Sequence, residues 1–511
     1  MPRTGVAARL ISNSRWNLIA FGVALIANVL TIPIAIAAIG LEAFGAAGLV
    51  LAVFAPFTLV GTVIGQALVR ELAPRMATGD RDGCVRILSA AVVIALIGCA
   101  LVVAVLSLAG RDLMGLLTSH SAPRTDWTLA LLVCGLGWVT QQGCLILQSA
   151  VMATQNYGRL AIVSSIGAVA GAIAVVLATR AMPNATGYLL GVSIGFVMTT
   201  LVLTWLVCQD MAWLLQFRRW QRADWIALLE FGKWQGAAHF AGGVGNQIDR
   251  YVLGVLSPLA VVGQYNVAMR LQEVVHMGVL KMTEVLFPHF SVTATDPLNK
   301  RASFFVRASW MLNLVAVACL APLIPLADPL ITLWVGADAA HGGAPMLRTL
   351  ATAGVIGGGI NVYIYFAMAS GQSARIAGMN IAHSIVLVAS SVLLITLIGP
   401  MAAGAGYVLA NLLRLAIATR FTSRYFRTVL RTSSLLQCTV PPLAGGMFGA
   451  WLLVGAQVVS PPSWPWLAFE YALIAIAVAA MAILCTAVSD AGRRLLRDTY
   501  VSGRQMVANR R

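Results

Sequence analysis

Apolar runs follow one another along almost the whole chain, separated by short polar links. At about 20 mostly apolar residues per membrane-spanning helix, the pattern predicts about fourteen spans. They lie at 16–39, 46–69, 87–108, 127–153, 160–179, 187–207, 233–256, 262–288, 309–335, 346–369, 379–398, 406–421, 438–459 and 467–488. The links alternate in charge. One set carries Arg70, Arg75, Arg81 and Arg86, then Arg159, then Arg218, Arg219 and Arg222, then Lys300, Arg301 and Arg307. The same set continues with Arg375, with Arg424, Arg427 and Arg431, and with the tail Arg493, Arg494, Arg497, Arg504, Arg510 and Arg511. The opposite links hold chiefly Arg111, Arg124 and Arg180. Basic loops stay on the cytoplasmic side, so the pattern predicts both termini there. No link is long enough for a soluble catalytic domain, which argues against an enzyme.

The pattern also repeats. A shift of 218 residues, the separation of Arg15 from Lys233, lays Trp16 on Trp234, Asn28 on Asn246, Leu41 on Leu259 and Gly45 on Gly263. Further on, Met152–Leu160 resembles Met368–Ile376, with Arg159 over Arg375, and TGYLLG at Thr186 resembles AGYVLA at Ala405. Each repeat holds an even number of spans, six, so both enter the membrane from the same side. Parallel repeats of this kind are related by an axis along the membrane normal. The expected organisation is therefore residues 1–220 as a first six-helix bundle and 221–434 as a second, with 435–511 holding two further helices and a basic tail.

Most spans have no charge in their middle, but the seventh and eighth, joined by a turn at Ser257–Pro258, are exceptions. At 100° per residue, Gln235, His239, Asn246, Asp249 and Arg250 share one face of the seventh span. Asn266, Arg270, Glu273, Lys281 and Glu284 share a broad face of the eighth, with His276 at its margin. Such stripes face protein or water, not lipid. Asp249 and Arg250 lie about 24 Å along the helix from Lys233, toward the outer leaflet. The repeat provides an internal control: Asp249, Arg250, Arg270 and Glu273 fall on Thr31, Ile32, Ala52 and Ala55. The shared architecture does not require those charges. Two readings stay open. The charges can bridge one another, as Asp249 with Arg270 or Arg250 with Glu273, or they can line a hydrated cavity for an anionic headgroup, which suits the arginine fork. His239 and His276 can titrate near neutral pH, although a lone intramembrane histidine is more often a hydrogen-bonded packing residue. Lys233 beside Trp234 reads as an interfacial anchor. Gln141, Gln142 and Gln148 could line a cavity in the first bundle, and Arg414 is a further intramembrane cation.

Composition agrees with the pattern. The 511 residues are 59% hydrophobic and 10% charged, with mean hydropathy +0.85, whereas soluble domains carry about 25% charged residues. This is an all-α polytopic membrane protein. The net charge of +16 follows from the basic links, so no nucleic-acid partner is inferred. The eight cysteines are scattered and form no CxxC or Cys/His cluster, which points to neither disulfides nor a metal site. Gly187, Gly191 and Gly195, with Gly167 and Gly171 and with Gly445 and Gly449, have the spacing of close helix packing. Gly357, Gly358 and Gly359 are candidates for a break or bend. No nucleotide-binding GxxxxGK[ST], HExxH or GxSxG motif is present, and no cofactor is expected.

The chain resembles the polysaccharide transport flippases of the Wzx type, in the MOP superfamily that also holds lipid II flippases and MATE antiporters. The residues that carry the resemblance are the basic N-terminal helix and the N-x(12)-L-x(3)-G pattern of Asn28, Leu41 and Gly45. Two segments add to it, GNQIDRYVLGVLSPLAVVGQYNVAMRL and GPMAAGAGYVLAN. The resemblance implies a V-shaped pair of bundles in the bacterial inner membrane that moves an undecaprenyl-diphosphate-linked oligosaccharide outward by alternating access, driven by an ion gradient. It implies substrate contacts for Arg250, Arg270, Lys281 and Arg414, and gating or ion-coupling roles for Asp249, Glu273 and His276. Membrane lipid, a glycan polymerase and export machinery are the implied partners. The alternative is a MATE-like, cation-coupled multidrug exporter, which favours an acidic cavity, whereas this stripe holds at least as many cations as anions.

Overall fold

A computed structural model describes residues 3–118, 125–154, 156–284, 286, 290, 293, 296–454 and 463–508. Among these there is no strand. The helices are α1 (Arg3–Phe54), α2 (Leu59–Thr78), α3 (Arg81–Leu117), α4 (Trp127–Ala153), α5 (Tyr157–Ala181), α6 (Ala185–Met211), α7 (Arg222–Leu256) and α8 (Leu259–Glu284). They continue as α9 (Leu298–Leu320), α10 (Ala327–Trp334), α11 (Ala337–Ala369), α12 (Ser373–Ile398), α13 (Ala405–Tyr425), α14 (Thr432–Val454), α15 (Trp464–Ala487) and α16 (Asp490–Ala508).

Ten stretches of the described residues are long and apolar enough to cross a membrane. The first, Ile19–Thr78, contains both the first and the second expected spans. The expected seventh, eighth and thirteenth spans are present as α7, α8 and α14 but fall outside that count. For α7 and α8 the reason is the polar stripe itself, which lowers the hydropathy of both helices. Leu101, Leu108, Leu136, Ile385, Leu397 and Ile476 all point outward and are exposed. Apolar side chains on the outside are what lipid-facing helices need. This is a multi-pass membrane protein.

The chain divides into two compact units, Met1–Gly263 and Gln264–Arg511. That division falls inside α8, beyond the repeat boundary at 220/221.

In the first unit, short polar side chains begin successive helices. Asp80 accepts from Gly83 N at 2.8 Å, Asp126 from Thr128 N at 3.0 Å and Asn184 from Gly187 N at 2.9 Å. Each satisfies a backbone donor left over in the first turn. Gly40, at φ 80°, ψ 165°, interrupts the helical backbone of α1. L-residues with a side chain rarely adopt that conformation, so glycine sets the corner between the two apolar runs. The glycine ridge of α6 packs as its spacing implies: a Cβ on Gly191 would lie 2.8 Å from Val175 N, and one on Gly195 2.8 Å from Gly171 Cα. A Cβ on Gly45 would overlap the Leu259 carbonyl, and one on Gly263 would overlap the Leu41 carbonyl. Repeat-equivalent pairs therefore exchange the same contact. Gly263→Ala should cost about 1–3 kcal/mol through overpacking, read as a lower apparent Tm in detergent, whereas Gly278→Ala on the same helix faces open space and should cost nothing by this route.

The Arg-rich end of this unit is held by charge. Asp224 is 4% exposed and lies 3.8 Å from both Arg75 and Arg86. Its carboxylate also accepts from Gln221 N at 3.0 Å, closing a capping box at the start of α7. Arg218 pairs with Asp82 at 3.0 Å, and Arg159 pairs with Asp210.

In the second unit, Phe290, Phe305, Phe366, Phe421, Tyr425 and Phe426 form an aromatic core, with ring centroids 5.0–6.0 Å apart along the chain of contacts. Arg301 stacks over Phe366 and Tyr425 at 5.7 and 5.5 Å, and Arg375 over Phe421 at 4.6 Å. These arginines satisfy ring faces as well as marking the basic end. Trp310 Nε1 donates to Thr486 Oγ1 at 3.2 Å, tying α9 to α15.

Candidate functional site

Each unit has a polar interior of different character. In the first unit, Asp249 on α7 is 1% exposed and Arg250 is half-buried. The Arg250 guanidinium donates to Gln247 Oε1, one turn back on the same helix. Next in the chain, the Tyr251 hydroxyl donates to the Ala52 carbonyl at 2.7 Å, which fixes this part of α7 against α1. His239 is exposed. The side chains of Lys233, Gln235 and Glu284 lie outside the described residues.

The same unit has an open cavity of about 370 Å³ among α1, α4, α5 and α6. Its polar lining is Asn28, Thr31, Gln141, Gln148, Ser164, Tyr188 and Thr199, and it contains no charged residue. Gln141 and Gln148 therefore do line a cavity, as the sequence implies. Gln142 turns the other way: it is 1% exposed, and its Oε1 accepts from Gly61 N at 2.8 Å. A helix face turns by 100° per residue, so adjacent glutamines cannot share one.

The second unit instead gathers charge. Arg270 and Glu273 of α8 pair at 3.3 Å, with side chains 36% and 39% exposed, so both remain reachable. One turn on, His276 lies within electrostatic reach of Glu273 and of Arg414 from α13. Arg414 Nη2 donates to Asn380 Oδ1 of α12 at 3.2 Å, and His383 of α12 lies near both Arg414 and Asn411. Asn411 donates to the Ala353 carbonyl of α11 at 2.8 Å. Three buried nitrogens of this group have no protein hydrogen-bond partner: His276 Nδ1, His383 Nε2 and Arg414 Nε. No carboxylate pairs with Arg414 among the described residues. Buried cations are costly unless paired, so the cluster has donors to spare for an anion. Lys281 lies 11 positions beyond Arg270, about 16 Å along α8, and is half-buried.

The three consecutive glycines do not break α11, which runs through from Ala337 to Ala369. A Cβ at Gly357 would lie 3.0 Å from Asn411 Nδ2 and one at Gly358 2.6 Å from Ala316 Cβ, while Gly359 faces Asn313. They let three neighbours approach, and the expected bend is replaced by close packing. Asn380, His383 and Asn411 were not singled out in the sequence. The available signal was polar residues three apart in otherwise apolar spans, Asn380 with His383 and Asn411 with Arg414.

The repeat connects the two interiors. By the register of Met152–Leu160 on Met368–Ile376, Asn380 and His383 fall on Ser164 and Gly167, and Gly357 falls on Gln141. By that of Thr186 on Ala405, Asn411 and Arg414 fall on Val192 and Gly195. All of the first-repeat equivalents line the cavity. Equivalent positions of the two repeats line a neutral cavity in the first and carry Asn380, His383, Asn411 and Arg414 in the second.

The family model for polysaccharide biosynthesis proteins matches residues 10–294. The chain belongs to this family. Its fold is that of the MOP superfamily. The inward closed lipid II flippase MurJ superposes with a TM-score of 0.72 at 12% identity, over 94% of this chain and 98% of MurJ. An inward-facing multidrug-resistance MATE transporter gives 0.69 at 13% identity, over 80% and 95%. A MOP superfamily transporter from Pyrococcus furiosus, described as having a binding pocket of reverse polarity, gives 0.56 at 14%, over 82% and 96%. No curated protein sequence matches the chain. This member of the polysaccharide biosynthesis family is thus a multi-pass membrane protein with the fold of MurJ and the MATE transporters, and the solved structures it resembles are transporters and flippases.

Proposed function

We propose that the chain is a flippase that moves a polyprenyl-diphosphate-linked oligosaccharide, a repeat unit of a surface or exported polysaccharide, from the cytoplasmic to the periplasmic leaflet of a bacterial inner membrane. The observation that carries this reading is the polar cluster of the second unit, where Arg414 is half-buried with no carboxylate beside it among the described residues and His276 and His383 keep unpartnered nitrogens. A diphosphate offers the oxygen acceptors that such donors match. Arg270 and Arg414 are the substrate contacts, and Arg250 and Lys281 are further cations along the polar stripes. Glu273 serves as a gate: its bond to Arg270 opens when the phosphate arrives. Asp249, buried on α7, and His276 are the groups for ion coupling, and alternating access drives the lipid-linked sugar across. The termini lie on the cytoplasmic side by the charge of the links. Glycan polymerase and export machinery then take the product.

The charge balance also separates this reading from a drug exporter. A cationic drug would meet Arg270 and Arg414, a repulsive pair in a low-dielectric site. In a strain lacking the gene, lipid-linked oligosaccharide should accumulate in the inner leaflet and surface glycan should fall. Arg270→Ala should restore export only to about a tenth of wild type, given about 1.5–3 kcal/mol for a hydrogen bond to a charged group and the residual exposure of this site. Normal glycan export in the deletion strain, with new sensitivity to cationic drugs, would instead identify a multidrug exporter.

A further inference from the structure

The cavity of the first unit is a second binding site with chemistry opposite to that of the charged cluster. Its polar groups are neutral: two glutamines, an asparagine, two threonines, a serine and a tyrosine. Two of them, Gln141 and Ser164, make no side-chain hydrogen bond to another described residue. Asn28 spends its amide N–H on the Ala24 carbonyl at 2.8 Å, which leaves its carbonyl oxygen as an acceptor. Tyr188 and Phe196 add aromatic surface to the wall. At about 370 Å³ the cavity falls in the ~300–1,000 Å³ range of small-molecule pockets.

The two repeats differ in sequence at this place. Gly167, Val192 and Gly195 stand where the second repeat has His383, Asn411 and Arg414, and Gln141 stands where it has Gly357. The large polar side chain and the small residues have changed places between the two bundles. An apolar cavity stays dry, but one lined by seven polar groups takes water or a polar ligand.

We propose that this cavity binds an uncharged sugar ring of the transported glycan. Side-chain amides and hydroxyls match vicinal hydroxyl groups, which both donate and accept, and the Tyr188 and Phe196 rings can cover the apolar face of a pyranose. A charged ligand finds no counter-charge here and would bear its desolvation cost uncompensated. The assignment rests on the flippase reading, and names the part of the substrate that the first unit holds.

The test has two arms. In the first, the full-length protein in lipid nanodiscs is titrated with glucose, galactose, rhamnose, N-acetylglucosamine and glucuronate, with saturation transfer from protein to sugar as the readout. At least one neutral sugar should receive saturation, glucuronate less, and the signal should fall at least fivefold in Gln141→Leu/Gln148→Leu and in Ser164→Ala. The serine variant adds no bulk, so a folding defect in the double variant does not decide the outcome. Absence of transfer to every neutral sugar, or equal transfer in all variants, overturns the proposal. In the second arm, the same variants are expressed in the deletion strain. If deletion blocks glycan export but both variants, present at wild-type level, restore it fully, the sugar site is wrong and the flippase reading stands. Normal export by the deletion strain would sink the flippase reading, while the sugar-binding arm still decides the cavity.

Discussion

Replacing Arg414 with glutamine is expected to cut glycan export by about 10- to 100-fold, the loss of one charge-assisted hydrogen bond to an anion at about 1.5–3 kcal/mol, without lowering the stability of the protein. The second half of that expectation separates a binding role from a structural one. Arg414 is half-buried and reaches from α13 to Asn380 of α12, its Nε has no partner, and no carboxylate pairs with it among the described residues. A partly buried cation of that kind costs free energy in the resting protein, so an uncharged side chain should leave apparent Tm equal or higher. Arg414→Lys should recover only part of the transport, because an ammonium retains the charge but loses the planar fork. The measurement is surface glycan per cell against the amount of folded protein in the membrane. Full export with Arg414→Gln would take Arg414 out of the substrate path.

The largest stability loss should come from the opposite kind of residue. Asp224 is the anion shared by Arg75 and Arg86 at 3.8 Å each, and it also closes the capping box of α7. Asp224→Ala removes the anion and leaves Arg75 Nη1 and Arg86 Nε, both buried and without hydrogen-bond partners already, with less compensation. Breaking a buried pair costs about 3–5 kcal/mol. The arginine side chains are 26% and 30% exposed, so the low end of that range, about 3 kcal/mol, is expected. A drop of several degrees in apparent Tm, together with less protein in the membrane, checks it. A double variant that also replaces Arg86 with Met should recover part of the loss, because Arg86 is left without its carboxylate whereas Arg75 keeps Glu71 at 3.4 Å. An unchanged Tm in Asp224→Ala would mean that water already screens this cluster.

What could be read from the chain and what could not divide along physical lines. The apolar runs, the basic links and the α6 glycine ridge are local patterns, and each is legible in a window of a few turns. The repeat is legible because both copies preserve polar and small positions in register. The side on which Gln142 differs from Gln141 is also legible, from the helical angle alone, and should have separated the two. The cluster around Arg414 was only partly legible. Arg414 stands out as a charge in an apolar run with Asn411 three residues before it, but His276 and His383 belong to two other helices, and only the fold brings them near it. The role of Gly357 was hidden for the same reason: its purpose is the space it leaves for Asn411, a residue 54 positions further on. A glycine triplet reads as a backbone feature in sequence, and here its effect is entirely on neighbours.

The exchange between Gly45 and Leu259, and between Gly263 and Leu41, has a consequence for halves of the chain made separately. The first half carries both members of that contact, Leu41 and Gly45, on one segment, and the second half carries both again as Leu259 and Gly263. Either half therefore displays a patch that fits a copy of itself as well as it fits its natural counterpart. Covalent fusion resolves the ambiguity by keeping the proper counterpart at high local concentration. Severed halves would compete between self-pairing and correct reassembly, and a single alanine at 45 or 263 would bias that competition without touching any charged residue.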